Sequence, residues 1–174
     1  MNDQRTPVRR TGGPGEWVLL SYRIPREPST PRIAIWRKLK RLGVAQLGDG
    51  LVALPADART REQLEWMAEE AIEAGGTAGV WLARPATAAQ EREIATAMAA
   101  ARAAEYAQLA AEAEQSAAGD AAGHESALRR LRAELRRITR RDYFPPPERD
   151  RARAAIEHLA TGATAVPSEE ESLS

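Results

Sequence analysis

Arginines repeat at close spacing in the last third of the chain, and they are its most distinctive chemical feature. The run comprises Arg129, Arg130, Arg132, Arg136, Arg137, Arg140 and Arg141. A guanidinium can bind two oxygens of one phosphate, and such contacts weaken as salt is added. An earlier basic group could contribute in the same way, namely Arg37, Lys38, Lys40 and Arg41. Both groups indicate binding to the phosphate backbone of DNA as one candidate function.

The arginine run also has a purely structural interpretation. A glutamate-rich segment precedes it, and two helices joined by a short link would form an antiparallel hairpin in which the two charge blocks face each other. The candidate acidic partners are Glu91, Glu93, Glu105, Glu112 and Glu114. In that case the arginines stabilise the hairpin and leave DNA untouched. Both alternatives stay open at this level, together with the binding of a small oxyanion by the same guanidinium groups.

A third group of arginines lies around a proline-rich loop. It comprises Arg23, Arg26 and Arg32, close to a helix start for which Ser29 or Thr30 is the predicted cap and Pro31 the first residue. The N-terminus of a helix offers free N–H groups to anions. These arginines are therefore candidates for binding a small oxyanion. The alternative is that the loop is plain structure.

Residues suited to catalysis are scarce. Cysteine is absent, which excludes disulfides and thiolate chemistry. The two histidines, His124 and His158, fit no metal-binding pattern. Glutamates crowd one segment, as Glu62, Glu65, Glu69, Glu70 and Glu73, and a solvated helix face explains them more simply than acid–base catalysis. We predict no enzymatic activity, no metal site and no cofactor.

Strand and helix signals alternate in the first half of the chain. Strands are predicted over 17–24, 44–47, 51–54 and 77–83, and Asp49-Gly50 is a strong hairpin signal between the second and third. A helical segment follows the first strand, and another follows the third. The resulting order, βαββαβ, predicts an α+β fold of the ferredoxin-like type over 16–85, with two helices on one face of an antiparallel sheet.

Apolar spacing predicts which faces of these elements are buried. The residues expected to face the core are Ile33, Trp36, Leu39 and Leu42 on the first helix, and Leu64, Met67, Ala71 and Ile72 on the second. A capping box from Thr60 to Gln63 is predicted at the start of the second helix. Tryptophan falls on four successive elements, at Trp17, Trp36, Trp66 and Trp81. Core packing is the predicted role of these rings. The alternative is a platform on the sheet that stacks nucleic-acid bases.

The second half of the chain is predicted to be helical. A capping box from Thr87 to Gln90 opens a helix that should reach about Glu114, with a stripe of Ile94, Met98, Ala101, Glu105 and Leu109 bordered by Tyr106. Leu128, Leu131, Leu135 and Ile138 then form the seam of a coiled-coil-like helix. The predicted layout of 86–160 is an antiparallel helical hairpin followed by a short terminal helix. A disordered lead (1–15) is predicted before the sheet domain, and a disordered tail (161–174) is predicted after the terminal helix.

Charge is segregated along a chain whose net charge is zero, with 25 Lys+Arg and 25 Asp+Glu. Basic residues dominate 1–41 and 124–153, whereas acidic residues dominate 57–114. Such local fields steer charged partners even though the total cancels. No stretch has the apolar length of a membrane span, and the N-terminus lacks the apolar core of a secretory signal. We expect a cytoplasmic protein with no membrane partner.

Several separated motifs resemble one known family. They are the strand from Trp17 with the loop Pro25-Arg26-Glu27-Pro28-Ser29, the run from Trp36 to Gly43, Asp49-Gly50 with Leu54-Pro55, the stretch from Thr60 to Trp66, and Arg140-Arg141-Asp142-Tyr143-Phe144-Pro145. Together they resemble the N-terminal domain of the chromate-resistance family ChrB over most of 16–160. The resemblance implies a transcriptional regulator of chromate-efflux genes, with DNA as a partner and chromate as effector. It also implies a second, C-terminal domain in full-length members, which we expect this chain to lack.

A more distant likeness links the ferredoxin-like region to small CRISPR-associated nucleases and to the central domain of PaaX-type repressors. Those nucleases carry an aspartate at the end of the first strand, where this chain has Ser21-Tyr22-Arg23. The difference argues against metal-dependent nuclease chemistry. The likeness implies pairing of two copies through their sheets. Two hypotheses follow: a chromate-linked DNA-binding regulator, or a non-catalytic module for homodimerisation or protein interaction without DNA binding.

Overall fold

A computed structural model describes residues 15–118 and 121–164. Residues 1–14 of the predicted lead and 165–174 of the predicted disordered tail lie outside these residues. The terminal helix continues to Thr164, so the prediction of disorder is wrong for 161–164. The chain divides into two compact units, Met1–Thr96 and Ala97–Ser174. The division falls inside one long helix.

The described elements follow the predicted order. They are β1 (Trp17–Arg23), α1 (Ser29–Leu42), β2 (Ala45–Gly48), β3 (Leu51–Pro55), α2 (Ala58–Glu73), β4 (Thr77–Ala83), α3 (Ala88–Ala117), α4 (Ala121–Arg140) and α5 (Glu148–Thr164). The sheet has the order β2-β3-β1-β4, and every neighbouring pair is antiparallel. This is the arrangement expected of a ferredoxin-like βαββαβ unit, and helices follow it, so the predicted fold class is confirmed.

The core of the first unit includes residues from the two central strands and from both helices. Alternate residues of β1 and β3 are fully buried, namely Val18, Leu20, Val52 and Leu54, and the helices bury Ile35, Leu39, Leu64, Met67, Ala68 and Ala71. The predicted face of α1 is partly wrong, because Ile33 is 43% exposed. Residues three apart drift by about 60° per step around a helix, so four of them cannot share one narrow stripe. Ile72 is likewise exposed on α2, at the border of its buried stripe.

Helix starts differ from the predicted caps at two places. The N-cap of α2 is Asp57, whose carboxylate accepts from the backbone N–H of Thr60 at 2.7 Å, while Thr60 Oγ1 accepts from the N–H of Asp57 at 2.9 Å. The capping box therefore lies three residues earlier than predicted, because aspartate serves as the cap and threonine as its partner. Helix α1 begins at Ser29 after Pro28, without a side-chain cap. At α3 the predicted cap is confirmed, since Thr87 Oγ1 accepts from Gln90 N.

Gly50 closes the β2–β3 hairpin in a conformation that glycine favours. Its φ is 69°, and a Cβ at this position would overlap the backbone carbonyl oxygen of Tyr22. The contact is close because Tyr22 N–H donates to the Gly50 carbonyl at 2.8 Å, which ties the hairpin to β1. Gly48, in the same hairpin, has open space where a Cβ would stand.

The two glycines provide a matched test of this contact. Gly50→Ala should lower the free energy of unfolding by about 2 kcal/mol or more, because both the positive φ and the overlap with Tyr22 oppose a side chain. Gly48→Ala should change it by less than about 0.5 kcal/mol. Urea unfolding followed by circular dichroism measures both values. Equal losses in the two variants would contradict the assignment of the constraint to Gly50.

The second unit has its own core, formed by α3, α4 and α5. Its buried residues are Tyr106, Leu109, Ala110, Ala113, Leu131, Ile138, Ala152, Ile156 and Leu159, with Leu128 and Leu135 partly buried against them. The predicted seam of α4 is thereby confirmed. The predicted stripe of α3 is shifted, because Tyr106 is fully buried and Ala101 is exposed. None of the described helices has the length and apolarity needed to cross a membrane.

Candidate nucleic-acid interface

The arginines of α4 fall on two faces of the helix. At about 100° per residue, Arg129, Arg132, Arg136 and Arg140 share one face within about 80°, and Arg130, Arg137 and the following Arg141 lie on a neighbouring one. We call the first set the outer arginine stripe and the second set the inner arginines. The leucine seam occupies a third face, so the helix presents apolar, inner basic and outer basic sides in turn.

The inner arginines are paired with carboxylates. Arg130 Nη1 lies 2.7 Å from Glu112 Oε2, and Arg141 Nη2 lies 2.9 Å from Glu105 Oε2, both on α3. Arg137 Nη1 lies 2.6 Å from Glu134 Oε2 within α4 itself. Residue numbers fall along α3 as they rise along α4 in these pairs, which shows that the two helices run antiparallel. The pairing alternative is thus confirmed for Arg130 and Arg141, whereas Arg137 pairs inside its own helix.

The outer arginine stripe has no such partners. Its four side chains are exposed, and among the described residues none of them forms an ion pair or a hydrogen bond. Eleven residues separate the first from the last, which corresponds to about 16 Å along the helix axis. The stripe therefore presents four exposed guanidinium groups in a row, without an ion-pair partner among the described residues. This is the arrangement suited to a ligand with several phosphates.

A half-buried polar network lies where α4 ends. Glu105 accepts from both Arg102 Nη2 (3.2 Å) and Arg141 Nη2 (2.9 Å). Next to it, Tyr106 donates its hydroxyl to Asp142 Oδ2 at 2.9 Å. The Asp142 side chain is fully buried, and Arg149 of α5 approaches it at 3.9 Å. The network joins the three helices at one point, so the adjacent residues Arg140 and Arg141 have different roles.

Burial changes the acid–base properties of this network. Desolvation lowers the pKa of Arg102, with the neighbouring Glu105 opposing the shift, and desolvation raises the pKa of Tyr106. The Nε atoms of Arg102, Arg141 and Arg149 are buried without a hydrogen-bond partner. Sequence reasoning missed this cluster because the spacing in α3 predicts Tyr106 at the border of the apolar stripe. No local sequence signal indicates the cluster, because Tyr106 and its partner Asp142 are 36 residues apart and meet only in the folded chain.

The basic group of α1 belongs to the first unit and is only partly free. Lys38 Nζ lies 2.6 Å from Glu70 Oε1 on α2. Lys40 stands over the ring of Trp36, 5.3 Å from its centroid. Arg41 Nε donates to the backbone oxygen of Arg37, and both guanidinium groups are on the exposed surface. Arg37 and Arg41 are the members of this group most available to a phosphate.

The candidate oxyanion group is spread over three elements. Arg23 ends β1, Arg26 lies in the loop that follows, and Arg32 lies in the first turn of α1. All three side chains are exposed, and none forms an ion pair within the described part of the chain. The structure brings them to the same end of the first unit only through the β1–α1 connection. Among the described residues, these three arginines line neither the groove beside Trp17 nor the pocket between α3 and α4.

The tryptophans divide between core and surface. Trp17 is buried on the sheet face that α1 and α2 leave open, and its Nε1–H donates to Glu91 Oε1 in the first turn of α3 at 3.0 Å. A groove of about 270 Å³ lies beside it, lined by Leu19, Leu47 and Ile94 among others. Trp81 donates to Ser21 Oγ at 3.0 Å but is 60% exposed. Trp66 is 59% exposed, so core packing is wrong for these last two rings.

Metal ligands are not grouped in the described residues. Within 15–118 and 121–164, no three histidine, aspartate or glutamate side chains come together as a candidate metal site. Glu62, Glu69 and Glu73 of the crowded α2 segment lie on its exposed surface, whereas Glu65 and Glu70 pair with Arg61 and Lys38.

Comparison with known proteins identifies the family. The family described as "Protein ChrB, N-terminal" matches residues 32–166. A curated relative named Protein ChrB, from Cupriavidus metallidurans, is 34% identical over 77 residues, which make up 44% of this chain and 23% of that protein. The chain belongs to the ChrB family, matching its N-terminal domain, and the resemblance seen in the separated motifs is confirmed. No solved structure matches the chain.

The two arginines at the end of α4 should differ in their effect on stability. Arg141→Met removes one of the two guanidinium groups that hold the half-buried Glu105, and we expect it to lower the free energy of unfolding by about 2 kcal/mol. Arg140→Met, on the outer face, should change it by less than about 0.5 kcal/mol. Thermal and urea unfolding of the two variants provide the comparison. A loss of similar size from Arg140→Met would mean that the two faces are wrongly assigned.

The Arg130–Glu112 pair should add a small pH-dependent contribution to stability. Hydrogen bonding to Arg130 lowers the pKa of Glu112. A depressed folded-state pKa stabilises the protein at pH values above the ordinary carboxyl pKa, and the contribution is lost as the pH falls through the lowered value. Since the pair is on the surface, we expect at most about 0.5 kcal/mol. At neutral pH, the free energy of unfolding of the wild type should exceed that of Arg130→Gln by this amount. Below about pH 4, the urea midpoints of the two proteins should converge.

Proposed function

We propose that the chain is a DNA-contacting transcriptional regulator of chromate resistance, and that the outer arginine stripe of α4 holds the phosphate backbone. The observation that carries this proposal is the absence of any partner for four exposed, aligned guanidinium groups in the described structure. Membership of the ChrB family supports the link to chromate resistance. The chain covers only part of the curated relative, and the exposed arginines of its own surface support the role of a regulator.

Energetics favour a ligand for this stripe. Like charges three and four residues apart repel each other and destabilise an exposed helix by a few tenths of a kcal/mol per pair. The inner arginines relieve such repulsion by pairing with glutamates, but the outer four do not. A polyanion would supply the missing charge and would release counterions on binding. The stripe spans about 16 Å, enough for several consecutive phosphates of one strand at about 3.4 Å of axial rise per nucleotide.

The proposal sorts the arginines and lysines of the chain into contacts and supports. Arg129, Arg132, Arg136 and Arg140 contact phosphate, and the exposed Arg37 and Arg41 of α1 supply a second contact from the first unit. Arg130 and Arg141 support the hairpin of α3 and α4 through Glu112 and Glu105, and Arg137 pairs with Glu134 within α4. Lys38 contacts Glu70, and Lys40 stands over Trp36. No catalytic step is assigned to the chain. The expected site of action is the cytoplasm, where the DNA is.

Double variants of α4 test the sorting directly. Arg132→Gln/Arg136→Gln should weaken binding to duplex DNA from upstream of the gene at least tenfold at about 100 mM salt, and reduce the salt slope of the binding constant by about 2. Arg130→Gln/Arg137→Gln is the matched control, with the same change of charge on the inner face, and should leave the slope nearly unchanged. Fluorescence anisotropy over a salt series measures both quantities.

The outcomes of this titration separate the candidate functions. Equal losses in both double variants would show that net charge, not the outer stripe, governs binding. No binding even at low salt would reject the regulator and favour the second candidate, a non-catalytic interaction module, which the pairing of inner arginines with glutamates supports. Repeating the titration with chromate, and with sulfate as control, tests the proposed effector. A chromate response lost in Arg23→Gln/Arg26→Gln/Arg32→Gln would assign the oxyanion to those residues.

A further inference from the structure

Helix α2 presents an exposed face that its own unit does not cover. Glu62, Trp66, Glu69 and Glu73 lie on one side of the helix, within about 60° of one another at 100° per residue. We call this set the Trp66 face. Trp66 is 59% exposed, although buried tryptophan is the common case. The three glutamates are exposed and form no ion pair among the described residues, unlike their neighbours Glu65 and Glu70.

The chemistry of the Trp66 face selects a cationic ligand with a planar charged group. An exposed indole attracts guanidinium groups, which stack on it, and carboxylates on either side bind the same groups through paired hydrogen bonds. A polyanion is repelled, and a purely apolar partner would have to desolvate three carboxylates. The face therefore fits an arginine-bearing helix.

The outer arginine stripe of the same chain has the matching dimensions. It has arginines at positions i, i+3, i+7 and i+11, and the Trp66 face has its members at i, i+4, i+7 and i+11. Both sets span about 16 Å of helix. The charges are opposite, and within the described residues neither set has an ion-pair partner. Complementary length, spacing and charge on two unpartnered helix faces of one chain favour a second copy of this chain as the occupant.

We propose that the Trp66 face of one copy binds the outer arginine stripe of a second copy. The glutamates pair with the outer arginines, and at least one guanidinium stacks on Trp66. Each copy carries both faces and can therefore provide either side of the contact. The contact itself does not depend on DNA binding. Its regulatory consequence rests on the proposed function, since association would then cover the residues that hold phosphate.

Charge reversal with the full chain tests the proposal. Sedimentation velocity without DNA should show concentration-dependent association at about 50 mM salt that is lost at about 500 mM. Glu69→Lys/Glu73→Lys and Arg132→Glu/Arg136→Glu should each abolish association alone, and an equimolar mixture of the two should restore it because the charges are complementary again. Trp66→Ala should weaken the wild-type association several-fold. Glu93→Lys/Glu157→Lys and Arg92→Glu/Arg153→Glu reverse the same number of exposed charges on other helices, so they are the matched controls and should associate like the wild type.

Each outcome decides the matter. Restoration in the mixture, with unaffected controls, supports the contact. A wild type that remains monomeric at low salt and at concentrations of several hundred micromolar overturns it, as does association that survives either reversal or is lost equally in the controls. DNA binding is measured separately on dilute protein, so loss of DNA binding by Arg132→Glu/Arg136→Glu with no self-association in wild type would leave the proposed function standing and reject this contact.

Discussion

Glu105 binds two guanidinium groups, and the arrangement of the helical unit depends on that carboxylate. One oxygen accepts from Arg102 in the preceding turn of α3, and the other accepts from Arg141 just beyond the end of α4. The adjacent bond from Tyr106 to the buried Asp142 fixes the same junction a second time. Half-buried charges without partners are costly, so only one rotation of α4 about its axis satisfies all of these groups. That rotation then decides which arginines face outward.

The division between inner and outer arginines follows from this rotation rather than from any difference between the residues. Each inner pair is partly hydrated and contributes little by itself, as exposed ion pairs generally do. Their combined effect is to orient the helix, because the leucine seam and the inner pairs must be satisfied together. The outer arginines have no carboxylate partner among the described residues, so their positive charge is available to other molecules. The structural arginines and the candidate binding arginines therefore lie on different sides of the same helix, and not in different segments of the chain.

The sequence allowed the fold to be predicted further than the site. Strand alternation, the Asp49-Gly50 signal and the seam from Leu128 to Ile138 each have a local physical cause, and the structure confirms them. The start of α2 was placed three residues late because Asp57 and Thr60 can both serve as caps, and only the fold decides between them. Core packing is the prediction for tryptophans that fall on four successive elements, and it is wrong for Trp66, which lies among glutamates on a solvated face.

The leucine seam shows which side of α4 is buried. The spacing of the arginines relative to that seam therefore suffices to predict that they lie on two different faces. Which face meets carboxylates depends on where α3 lies, and no local pattern contains that information. The role of Asp142 was out of reach for a similar reason, since its partner Tyr106 is 36 residues away. Long-range polar pairs of this kind become visible only when the chain is folded.

Because Arg140 and Arg141 are adjacent but have different roles, the sequence of this helix can change in evolution only in certain ways. Replacing single residues alters one face at a time, and outer positions can vary without disturbing the junction. Inserting or deleting one residue within α4 would instead rotate everything after it by about 100°. An insertion would turn the former outer residues toward the acidic helix and the former inner residues onto the face of the leucine seam, and a deletion would turn the former outer residues onto that seam face. Either change would place guanidinium groups against the apolar core. Within 128–141, homologous chains should therefore differ by substitution and keep the length of the segment constant.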